Sequence, residues 1–216
     1  MDTDIAVTLR ALEKASSTEW PAPASEPELD ALESTYGPLP ADVRTMYEYS
    51  RAPVFGIFDE VHEPSVAVRL FDGWSGYLFR LDDDTFVGKG ADDPIGLVTL
   101  PIAVDLVVEV GGALDGRVFR CVTADFFERP YFNHVSWSLA DAMHCTLELV
   151  RAGWFRIEHH NSAMYANPPV DVDEAHRSLA PILQRWGCSP ALASLPTSYW
   201  RTPEPPAHWS PATSVE

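Results

Sequence analysis

The stretch from residue 31 to residue 49, ALESTYGPLPADVRTMYEY, reads as two short helices joined by a stiff hinge. Leu29, Leu32 and Tyr36 share one helical face. Gly37 can adopt the left-handed conformation that closes a helix, and Pro38 prevents its continuation. Pro40 suits the first turn of the next helix, because the N–H it lacks would have had no partner there. Val43, Met46 and Tyr47 then form a second buried stripe. Leu39, pushed toward extended backbone by the proline after it, is placed to fill the space between the two helices. A DNA-reading pair of helices is disfavoured, since the second helix has Arg44 and no lysine against Asp42 and Glu48.

Upstream, Ser25 and Glu28 have the spacing of a capping box, which starts the first of these helices. Ile5, Leu9 and Leu12 predict an earlier amphipathic helix from Asp4 to Ala15, with Thr3 or Asp4 as its cap. Three prolines in SSTEWPAPASEP make residues 16–27 a linker or surface loop.

Downstream, from about Val54 to Val122, β-rich runs separated by Gly and Asp clusters predict a sheet. SVAVRLF alternates Val66, Val68 and Leu70 and reads as a strand, DGWSG as a tight reversal that exposes Trp74, and GYLFRL as the returning strand. Apolar runs flank Pro101, which belongs at a strand start, an edge or a bulge. GGALDGRVFRCV reads as a loop into a last strand. Ser138 and Asp141 then open a helix with Leu139, Met143, Leu147 and Val150 on one face, expected to pack on the sheet. Ala175, Leu179, Ile182, Leu183 and Trp186 predict a further helix that Pro181 should kink or split. From Ser189 onward the Pro, Ser and Thr content predicts an extended strap or a disordered tail.

The 216 residues carry 15 Lys and Arg against 32 Asp and Glu, a formal charge of -17. Bulk attraction to nucleic acid or an anionic membrane is thereby disfavoured, and a basic protein partner is the better match. Three widely spaced cysteines without a C-x-x-C pair fit a reducing compartment. The acidic start MDTDIAVTLRALEKA has no secretion-signal pattern, and no apolar run of about 18 residues occurs, so a cytoplasmic protein is expected.

Glu28-Leu29-x-x-Leu32-Glu33-x-x-Tyr36-Gly37-x-Leu39-Pro40-x-x-Val43 resembles the opening motif of the SUKH superfamily, which is named for the yeast Smi/Knr cell-wall regulators. LPIAVD at 100–105, GGALDGRVF at 111–119 and WSLADAMHCTLELV at 137–150 follow in the order in which that family places a strand, a strand and its closing helix. The resemblance covers about residues 25–155, with residues 1–24 as an N-terminal helix and linker and 156–216 as a C-terminal extension with a helix and a Pro-rich tail. It implies an α+β fold, a mixed and mostly antiparallel sheet flanked by N-terminal helices and a closing helix. It also implies a binding function, since many bacterial members are immunity proteins that neutralise a polymorphic toxin, frequently a nuclease. A regulatory or scaffold role of the Smi/Knr type is the alternative.

The densest acid cluster is Asp82, Asp83 and Asp84, with Asp92 and Asp93 shortly after. It lacks the alternating oxygen ligands and distal acid of a calcium loop. A solvated turn is its ordinary reading, and an acidic face that meets a basic toxin and imitates phosphates is its functional one. Trp74, beside these acids, is the first candidate anchor, ahead of Phe58 and Tyr77. His159 and His160 are adjacent, and no H-x-x-x-H spacing sets two ligands on one helical face. Cys145 cannot be activated by its neighbour His144, because successive helical residues do not face each other. No nucleophile elbow, P-loop or dinucleotide fingerprint is present. The expectation is a non-enzyme with no cofactor and no metal; a hydrolase with a composite metal site is the remaining alternative.

Overall fold

The Asp4 carboxylate accepts the Ala6 N–H at 2.9 Å and opens helix α1 (Ile5–Ser16), which buries Leu9 and Leu12 completely. The computed structural model describes residues 4–16, 19–53, 61–74, 79–82, 85–88, 98–103, 106–111, 115–122, 131–158, 162–165 and 172–193. Within it the proline-rich linker is pinned in place. Ala24 N–H donates to Tyr47 O at 2.9 Å and Arg51 N–H to Ala22 O at 3.1 Å. Trp20 is buried edge-on to Tyr49.

The hinge forms as its residues dictate. Ser25 N–H and hydroxyl both donate to the Glu28 carboxylate, at 2.8 and 2.7 Å, at the start of α2 (Glu26–Tyr36). These bonds hold the Glu28 carboxyl below its usual range. Gly37 ends the helix at φ 96° and ψ -178°, a region in effect reserved for glycine. Pro40 then caps α3 (Ala41–Tyr49). The buried faces are Leu29, Leu32 and Tyr36 on α2 and Val43, Met46 and Tyr47 on α3, with Leu39 half-buried against the same core.

SVAVRLF is not a strand. It lies in α4 (Pro64–Trp74), so the DGW of the expected reversal is the last turn of that helix. The period-2 alternation of Val66, Val68 and Leu70 was overridden by tertiary context. Pro64 starts the helix, Ala67 is buried, and the Tyr36 hydroxyl donates to Ala67 O at 2.7 Å, where α4 packs on α2.

Six strands form one sheet: β1 (Phe79–Asp82), β2 (Thr85–Gly88), β3 (Val98–Pro101), β4 (Leu106–Val110), β5 (Val118–Val122) and β6 (Tyr131–Ser136), in the order β1-β2-β6-β5-β4-β3. Every described pairing is antiparallel. Pro101 ends the edge strand β3, where a residue without an N–H costs the ladder least. β5 is followed by β6 and so is not the last strand. All of β4 is buried. Leu106, Val108 and Val110 join the main core, and alternation puts Val107 and Glu109 on the opposite face.

Ser138 caps α5 (Leu139–Arg151), its hydroxyl oxygen taking Asp141 N–H at 3.0 Å. Residues 141–147 of this helix are all buried, and it meets α1, α3 and β6. A second, two-stranded sheet of β7 (Phe155–Glu158) and β8 (Ser162–Tyr165) follows. The next helix, α6 (Val172–Arg185), runs unbroken through the exposed Pro181. Ser189 N–H then bonds Val135 O on β6 at 2.9 Å, and a buried 3-10 turn, Pro190–Ala193, ends the described chain. The fold is therefore an α+β mixture. One hydrophobic cluster runs through it, from Leu9 and Leu12 to Leu179, Leu183 and Cys188, across both boundaries expected at residues 24 and 155.

Candidate functional site

Of the residues expected to form a docking surface, only the backbones of Trp74 and Asp82 lie among the described residues. Trp74 is the last residue of α4, and Asp82 ends the edge strand β1, paired with Thr85 of β2. The side chains of both lie outside the described residues, as do Asp83, Asp84, Asp92, Asp93, Phe58 and Tyr77. Trp74 thus belongs to a helix end where the sequence suggested a loop tip.

A described acidic surface lies on α2 and α3. The Arg44 guanidinium is shared by Glu33 at 2.9 Å, Glu48 at 2.9 Å and Glu26 at 3.0 Å. The bond to Glu33, ahead of the other carboxylates, holds it firmly protonated. Three acids about one base leave a local excess of negative charge, to which the exposed Asp30 adds. Arg44 is in this way occupied by carboxylates.

Asp42, in the unspecified part of the hinge motif, ties the hinge to α5. Its carboxylate takes Ala140 N–H at 3.0 Å and its own neighbour Val43 N–H at 2.9 Å. Burial pushes its pKa up against the pull of those amides.

A polar cluster that sequence reading missed lies on the face of the sheet opposite the main core. Arg117 and His134 are both buried, and Arg117 Nε–H donates to His134 Nδ1 at 3.0 Å. The guanidinium lies 4.3 Å from the Trp137 ring centre and 5.0 Å from that of Phe119. With Nδ1 accepting, His134 is the Nε2–H tautomer and donates to Gly187 O at 3.3 Å. Burial, then the Arg117 charge, hold His134 well below its ordinary pKa of 6.5. The sequence offers no signal for this cluster, because the cross-strand pair Phe119↔His134 emerges only with the register.

The fold therefore keeps His134 neutral where the unfolded chain protonates it, near pH 6.5. Stability is full above that pH and falls as pH drops below it, by up to about 1.4 kcal/mol per pH unit. Glu28, with its lowered pKa, loses its contribution only below its ordinary value of 4.5, and the raised Asp42 acts in the opposite sense. Urea titrations between pH 7.5 and 5 should show this slope. His134→Asn, whose amide oxygen can still accept from Arg117, should make it shallower without abolishing it, because burial also lowers His62. Equal slopes in the two proteins would contradict the assignment.

His144 is elsewhere, its Nδ1 2.6 Å from Thr8 Oγ1 and its ring against Trp186. Cys145, beside it in sequence, is completely buried. Among the described residues no three His, Cys, Asp or Glu side chains stand where they could hold a metal ion, and no helix is long and apolar enough to cross a membrane. No protein-family model matches the chain, and no curated protein matches it.

Proposed function

We propose that the chain is an immunity-type protein of the SUKH kind, which binds a basic toxin domain in the bacterial cytoplasm and blocks its active site or substrate channel. The observation that carries this reading is the motif from Glu28 to Val43, to which the formal charge of -17 adds the sign of the partner. Cap, closing glycine, proline start and buried stripes give its residues structural tasks, as a signature of fold requires. The acids around Arg44 and at the β1 edge would speed encounter with a positively charged toxin, and a hydrophobic anchor such as Trp74 would supply affinity.

The test is to mix the purified chain with the toxin domain encoded beside its gene. A stable complex, with an association rate that falls about tenfold or more as salt is raised, and protection of cells that express the toxin, are expected. Trp74→Ala should weaken the complex by roughly 30-fold. No complex and no protection with the neighbouring toxin would end the immunity reading.

A further inference from the structure

Cys145 and Cys188 are distant in sequence, and both are completely buried thiols. Cys145 lies within α5, and Cys188 follows the turn that Gly187 makes at φ 62° after α6. The Cys188 thiol rests on one turn of α5, with Sγ 3.7 Å from Asp141 O, the carbonyl one helical turn before Cys145, and the Cys145 thiol is its neighbour there. The segment that carries it is held to β6, Ser189 donating through its N–H to Val135 O and through its hydroxyl to His134 O. The fold has thus brought two thiols together at the point where its C-terminal described segment closes over the central helix. Burial, and then the neighbouring Cys145 thiol, push the Cys188 thiol well above its ordinary pKa, so the pair resists casual oxidation while the segment stays docked.

We infer that Cys145 and Cys188 form a redox staple: when a low-molecular-weight disulfide such as glutathione disulfide is present, they join in a bond that locks the Gly187–Ala193 segment onto α5. One thiolate, exposed as the segment opens locally, attacks the glutathione disulfide, forms a mixed disulfide and releases one glutathione thiolate. The second protein thiol then displaces the second glutathione. Two S–H bonds and one S–S bond are lost, one protein S–S bond forms, and both protons end on glutathione.

The full chain is incubated with glutathione disulfide, with and without urea below its unfolding midpoint, and digested without reductant for peptide mapping by mass spectrometry. The expected product is a monomer cross-linked between 145 and 188, which melts about 5 to 10 °C higher than the reduced protein and reverts with dithiothreitol. Cys121→Ser should keep the cross-link and Cys188→Ser should abolish it. A cross-link to Cys121, cross-linked dimers, glutathione left on a single cysteine, a lower melting temperature, or no reaction even in the sub-denaturing urea would each overturn the inference. The mapping needs only the natural chain, so a variant that fails to fold does not remove the test.

Discussion

Replacing Tyr47 by alanine is expected to lower the free energy of unfolding by about 3 to 5 kcal/mol. Tyr47 is fully buried on α3 and heads the largest such side chains among the described residues. Removing its ring takes apolar surface out of the core and leaves a cavity that the packed core around α3 closes only in part. Its hydroxyl also donates to His62 O at 3.0 Å, and His62 N–H in turn donates to Ile102 O at 2.8 Å beyond β3. The truncation therefore unties the chain that leads into α4 as well as emptying its site. Tyr47→Phe separates the two effects. It keeps the ring and removes one hydrogen bond, for about 1 kcal/mol. Both variants are measured by urea unfolding with a common m-value. An alanine variant no worse than the phenylalanine one would show that the ring does not hold the helices and sheet together.

Tyr36 repeats the device from α2, through the hydroxyl bond to Ala67 O within α4. Two tyrosines from the helical pair thus reach the same following segment. This explains why α4 is a helix against the reading of its own residues. Capping and chain-reversal rules are local, so Ser25, Glu28, Gly37, Pro40, Ser138 and Asp141 announced their roles from sequence. Val66, Val68 and Leu70 alternate as strand residues do, and what decides their conformation is a surface offered by α2, which no window of sequence contains. β6 escaped notice for a related reason. In YFNHVS the inward-facing His134 looks like a solvent-side residue until Phe119 is paired opposite it. The expected docking set suffered the same way at Trp74, placed by sequence in a turn and by the fold at a helix end. Pro101 was legible because its missing N–H leaves only a few positions open to it.

The buried cluster on the second sheet face gives the other large effect. Arg117→Met is expected to cost about 3 to 5 kcal/mol, although methionine fills much of the space between Trp137 and Phe119. The reason is charge. Glu109 N–H donates to Arg117 O at 3.0 Å, which sets the two residues opposite each other across β4 and β5, and Glu109 is completely buried. Arg117 is the one buried guanidinium among the described residues, so the substitution removes a buried cation from the strand position opposite a carboxylate that water does not reach. If this is the origin of the cost, removing the carboxylate as well should restore part of the stability. Glu109→Leu with Arg117→Met should be less damaging than the sum of the two single changes, by a coupling of at least about 1 kcal/mol. Single changes that add to within about 0.5 kcal/mol would assign the loss to packing instead. The acid limb supplies a second readout: withdrawing Arg117 removes one of the causes that depress His134, while burial keeps its pKa lowered. In Arg117→Met the fall in stability below pH 6.5 should therefore persist but end at a higher pH than in the natural chain.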